Sequence, residues 1–246
     1  MLHSFGLDGP KVTTALPTTA AYPGEPIMGA VRLEGGEHDL AVDTIAVGLV
    51  TRVEAEDGDA MLEFHRAWVA AGFTLAAREH QDIPFTITPP WETPVSYAYG
   101  HRLTGMCLDL RTELVAGDGS DWNDAEVLEV HPLPAQERVL EALATEGFHL
   151  RHADVERGAI YGVRLELPFY QEIEFTPPQH WARVMDEMEL TFVADAEGTE
   201  VILEFERHGG FLRKAWDAYA RFRLDHETSD PGDAVAALRE ALPRTR

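Results

Sequence analysis

A chain of 246 residues, 45% of them hydrophobic, has the material for packed globular structure and a length that suits two domains of roughly 100 to 130 residues each. Its 43 acidic against 20 basic side chains, a formal charge of −23, exclude nucleic acid and anionic membrane surfaces as partners, because both are held through Lys and Arg. The single cysteine, Cys107, leaves no intrachain disulfide or cysteine zinc cluster; with no apolar run near the roughly 20 residues that span a bilayer and no signal-peptide core in MLHSFGLDGPK, the expectation is a cytoplasmic protein without membrane insertion.

From about residue 10 to 131, Gly and Pro recur at Pro17, Pro23, Gly24, Gly35, Gly36, Gly58, Pro84, Pro89, Pro90 and Pro94, with strand-length segments between them. Ile45, Val47, Leu49 and Val53 alternate with Ala46, Gly48 and Arg52, which predicts a strand packed on one face. In MLEFHRAWV at 61–69, Leu62, Phe64 and Trp68 share a parity suited to the core. Arg66 shares it too and so needs a partner or an edge position. Pro89 and Pro90 stop the strand at 82–88 or confine it to an edge. Met106, Leu108, Leu110 and Leu114 alternate with Asp109, Arg111 and Glu113. The run from Gly117 to Asp124 then reads as an acidic loop.

At 132–147 the period changes. Pro132 and Pro134 suit a helix start and Gly147 a helix stop, while Val139, Leu140 and Leu143 form one apolar stripe. So short a helix needs a surface to dock on, either one sandwich or the junction of two. Alternation then returns: Met188, Leu190 and Phe192, a turn at 196–198, and Val201, Leu203 and Phe205 predict a hairpin. Residues 210–220 are ambiguous between a helical turn and a loop before a strand in ARFRLDH. Ser229, Asp230 and Pro231 start a terminal helix over about 231–242, with Ala234, Val235, Leu238 and Leu242 on its stripe.

In order, AAYPGEPIMGAVRLEGGEHDLAVDTIAVGL, IPFTITPPWETPVS, LDLRTELVAGDGSDWNDAEVLEVHP, the mid-chain helix and LPFYQEIEFTPP resemble the SpoOM family of bacterial sporulation-control proteins over about residues 11–226. The resemblance rests on the PGE turn, the strand pair ending in P-W-E-T-P and the helix, in that order. It implies an all-β, arrestin-like fold. Two antiparallel β-sandwiches, 1–131 and 148–226, would be joined by the helix at 132–147 and followed by a helical tail at 227–246. It also implies a regulatory or scaffold protein, without catalysis or cofactor, that binds protein partners through sheet edges or concave faces; separately, exposed strand edges offer self-association into a continuous sheet as an alternative.

No G-x-S-x-G, H-E-x-x-H, Walker A or G-x-G-x-x-G occurs. His65, His80, His101, His149 and His152 invite a metal reading, and with it a metal-dependent hydrolase. His149 and His152, three apart, are expected on opposite faces of a strand, which argues against a shared ion. Asp118, Asp121 and Asp124 suggest calcium, although Ser120 and Trp122 fall where an EF-hand places ligands. Acidic pairs are too abundant to single out a glycosidase site. Trp91, Trp122 and Trp181 stand beside turns and are the candidate partner-binding anchors, together with an apolar set of Phe211, Leu212 and Trp216. Exposed, Trp91 and Trp122 would equally serve a carbohydrate- or small-ligand-binding sandwich.

Overall fold

The computed structural model describes residues 9–54, 58–182, 184–207 and 216–243. Its elements in chain order begin with β1 (Lys11–Ala15), β2 (Ala20–Ala21), β3 (Ile27–Glu34), β4 (Leu40–Val53), β5 (Ala60–Leu75), β6 (His80–Ile87), β7 (Tyr97–Ala98) and β8 (His101–Arg102). There follow β9 (Leu108–Ala116), β10 (Asp121–Val127), β11 (Glu129–Val130), α1 (Pro134–Thr145) and β12 (His149–Arg157). The chain continues through β13 (Phe169–Thr176), β14 (Glu187–Ala194), β15 (Gly198–Arg207), β16 (Trp216–Asp225) and α2 (Pro231–Ala241). Among the described residues no helix is long and apolar enough to cross a membrane.

The first half is a sandwich of two antiparallel sheets, β1-β3-β6 and β10-β9-β4-β5. Val31, Leu33, Phe85 and Ile87 from one sheet meet Ile45, Val47, Leu49, Leu108, Leu110 and Leu114 from the other. Every second residue turns inward, so each strand contributes an apolar row, and each fully buried Leu or Ile stabilises by about 1.5–3 kcal/mol. The alternation read for 106–114 is the one observed. β6 ends two residues before Pro89 and lies at the edge of its sheet, where Pro84 leaves no ladder bond unmade.

In the second half β12-β13-β14-β15-β16 form one antiparallel sheet. The inner faces of these strands carry Ile173, Phe175, Met188, Leu190, Val201, Leu203 and Phe205 into a second core. α1 adds Val139, Leu140 and Leu143 and α2 adds Ala234 and Leu238. The mid-chain helix thus docks on the second sheet. Gln136 Oε1 accepts the Leu133 amide at 2.8 Å at its start, and Gly147 with φ of 85° closes it. Asp230 and Asp233 exchange backbone-to-carboxylate bonds of 3.0 and 2.9 Å at the start of α2. Val53, Val95, Leu103 and Met106, which precede α1 in sequence, also pack into this core.

The P-W-E-T-P segment stitches the halves together. The Glu92 carboxylate accepts the Glu166 amide at 2.8 and 2.9 Å and the Leu167 amide at 2.9 Å. The Gln171 side chain bonds both polar atoms of the Val95 backbone, at 2.9 and 2.7 Å. Nearby, the Glu54 amide donates to the Val155 carbonyl at 2.7 Å.

Bulges overturn two expectations. In β5 the register with β4 slips between Leu49 and Val50 and again between Ile45 and Ala46. Phe64 is the extra residue at the first slip, so strand parity inverts there. Leu62 and Phe64 face the core but Trp68 does not; it is 69% exposed. Arg66 points outward beside it on this edge strand, its Cζ 5.6 Å from the Trp68 ring centroid, and pairs with Glu63 at 2.5 Å and Glu113 at 2.9 Å. Gly48 leaves the room the cluster needs, since a Cβ there would come within 2.5 Å of the Glu63 carboxylate. In β12 the bulge lies between Leu150 and His152. His149 and His152 therefore share the outward face instead of taking opposite ones. A third correction concerns 117–124: the loop is a tight hairpin, and Asp121 to Asp124 belong to β10.

Candidate functional site

The outward face of the second sheet follows from simple alternation. With Ile173, Leu190 and Leu203 inward, the side chains pointing away are Tyr170, Glu172 and Glu174 on β13, Glu187, Glu189 and Thr191 on β14, and Ile202, Glu204 and Glu206 on β15. Register then aligns like charges. Glu174 lies opposite Glu189, Glu189 opposite Glu204, and Glu204 opposite Tyr219. Glu172 faces Asp154 on β12. Carboxylates directly across a ladder repel, so such a row costs stability.

Arginines relieve the ends of this face. Arg151 pairs with Glu187 at 2.5 Å and with Glu174 at 3.8 Å, and Arg221 pairs with Glu200. Among the described residues no ion pair reaches Glu172, Glu189 or Glu204. Burial, then Asp154, Glu156 and Glu204, push the Glu172 carboxyl up to about 7. Burial, then Glu172, Glu206, Glu204 and Glu187, push Glu189 up to about 8. Burial and like-charged neighbours thus favour the protonated form of both carboxyls, where no cation among the described residues stands beside them.

The segment 158–166 folds over this face, held by Glu92 at one end and by Arg221, whose Nη1 donates to the Gly162 carbonyl at 2.9 Å. It buries Thr191 and Ile202 to 6% and 7% exposure despite their outward parity. Between segment and sheet runs a groove of about 410 Å³, lined by Ile160, Tyr161 and Val163 from the segment and by Glu172, Glu189, Thr191, Ile202 and Glu204 from the sheet. Tyr170 and Tyr219 complete it. A volume of this size suits several side chains of a ligand.

Next to the groove, donor atoms of Glu54, His152 and Asp154 lie within 4.8 Å of one another, as do those of Asp154, Glu156 and Glu172. Asp154 Oδ1 is buried without a hydrogen-bond partner. Carboxylates with one imidazole form a donor set that suits a divalent cation, and burial raises the Asp154 carboxyl.

The structure scatters the predicted anchors. Trp91 lies on the PGE turn, where a Cβ on Gly24 would meet its ring carbons at 2.3 Å, and the hollow beside it holds only about 10 Å³. Trp122 packs against the first core from β10 and Trp181 against the second. Phe211 and Leu212 lie outside the described residues, and Trp216 opens β16. Asp118 and Asp121 accept bonds from Ser120 and Asn123, and Asp124 from the Thr14 amide, so the three serve separate partners. Cys107 is half-buried and its thiol is pushed up by burial and by Asp109. Sequence reading passed over the groove. Its signal was visible in the paired outward acids Glu172 and Glu174, Glu187 and Glu189, Glu204 and Glu206, but not in their alignment across strands.

Residues 1–209 match the family described as SpoOM protein. The chain is 33% identical over 215 residues to the sporulation-control protein Spo0M of Bacillus subtilis strain 168, covering 85% of this chain and 80% of that protein. It also superposes on the crystal structure of Spo0M from Bacillus subtilis with a TM-score of 0.79 at 28% identity, covering 94% of this chain and 97% of that one.

Proposed function

The chain belongs to the SpoOM family, and on that premise we propose that it is a non-enzymatic regulator in sporulation-related control that works by binding protein partners. The observation that carries this reading is likeness along nearly the whole molecule to a sporulation-control protein, in sequence and in fold. The groove supports the binding part. Its carboxylates Glu172, Glu189 and Glu204 line one groove, Glu189 directly opposite Glu204, an arrangement suited to holding a positively charged partner at several points.

Complementation tests it. Expressed in a Bacillus subtilis strain lacking its own Spo0M, this chain should restore wild-type sporulation frequency at least in part. Failure, where the resident protein expressed at the same level succeeds, would refute the regulatory reading.

A further inference from the structure

We propose that the groove under segment 158–166 is a docking site for a basic peptide segment in which arginines or lysines alternate with apolar residues. This deepens the binding role proposed above and rests on it. Three features define the occupant. The first is the groove's carboxylate lining: Glu189 and Glu204 stand directly opposite each other on neighbouring strands, about 4.8 Å apart, and Glu172 on β13 lines the same groove, diagonal to Glu189 at about 7–8 Å. In an extended segment, side chains two residues apart lie about 6.7 Å apart on one face, so of two cations so spaced one meets the Glu189 and Glu204 pair and the next meets Glu172.

The second is the apolar part of the lining. Ile160 and Val163 from the segment and Ile202 from the sheet offer a surface that simple cations such as ammonium groups do not use. The third is exposure at the rim: Tyr161 is fully exposed and Tyr219 is 67% exposed, and aromatic rings stack on guanidinium planes. A second copy of this chain is a poor occupant, because its surface carries a net charge of −23. Arg151 and Arg221 are engaged by Glu187 and Glu200, whereas among the described residues no ion pair reaches Glu172, Glu189 or Glu204. These three are where a partner's cations would sit.

Calorimetry with a synthetic peptide of alternating arginine and leucine tests this. Any strongly acidic protein attracts cations, so the comparison is between variants. Glu189→Gln with Glu204→Gln should weaken binding by about tenfold or more, whereas Glu227→Gln with Glu240→Gln, which neutralises two exposed acids elsewhere, should change it less than about twofold. A peptide with serine in place of leucine should also bind about tenfold more weakly. Equal weakening by both pairs of substitutions, or equal binding of both peptides, would overturn the assignment and leave only general charge attraction. Removing repelling carboxylates should leave folding intact, which a melting curve of the variant confirms. If Glu189→Gln with Glu204→Gln binds peptide as the wild type does while the chain still restores sporulation, the groove is wrong and the regulatory role stands.

Discussion

Consider replacing the two glutamates that hold protons, Glu172→Gln with Glu189→Gln. Folding lifts Glu172 from 4.5 to about 7 and Glu189 from 4.5 to about 8. A carboxyl raised by folding contributes stability that is complete below pH 4.5 and is lost as pH climbs through its folded value, because the unfolded chain gives up the proton first. At 1.36 kcal/mol per unit the ceilings are about 3 and about 5 kcal/mol. Both side chains are half-buried and solvent screens part of the repulsion, so about 1–2 kcal/mol each is expected. Between pH 4.5 and pH 8.5 the wild type should therefore lose about 2–4 kcal/mol more than the double variant, which keeps the shape but cannot ionise at these two positions; Asp154, Glu156 and Glu174, also raised by burial, titrate in both proteins. Asp195, lowered to about 2 by Arg223, acts only below pH 3.8 and stays out of this window. Urea unfolding at pH 5 and pH 8.5 reads the effect as a shift in midpoint. Parallel profiles for the two proteins, or a wild type that gains stability over this range, would refute the account of the row.

Two further outcomes concern the scaffold beneath the groove. Glu92→Ala removes the acceptor of the Glu166 and Leu167 amides and should cost about 2–4 kcal/mol, because the bonds are charge-assisted and the Leu167 amide lies at a buried residue; hydrogen exchange should show the Leu167 amide losing protection, and unchanged protection would sink the stitching role. Leu143→Ala opens a cavity where α1 meets the second core and should cost about 2–5 kcal/mol, with an unchanged denaturant slope; a loss under about 1 kcal/mol would mean that the helix is not anchored there.

Much of the architecture was legible because hydrophobic alternation is a local property. Leu108, Leu110 and Leu114 announced a one-sided strand, and Met188 to Phe205 announced a hairpin. Pro134, Gly147 and Asp230 marked helix ends that the structure reproduces within a residue or two. Trp68 and the pair His149 and His152 were misread for one reason. An extra residue in a strand inverts every side chain beyond it, and nothing in MLEFHRAWV or HLRHADVER marks the slip, which is set by pairing with Leu49, Val50 and Phe175.

The sequence by itself determined the all-β class, the positions of both helices, the family and a large excess of acidic side chains. Each of these is written in spacing along the chain or in composition. Only the tertiary structure decided that Glu174, Glu189 and Glu204 line up, that Ile160 and Tyr161 fold over them, and that Glu92 holds that segment in place. Register between strands 15 to 30 residues apart is settled by the shared core beneath the sheet, so a row of charges across three strands has no counterpart in any one stretch of sequence.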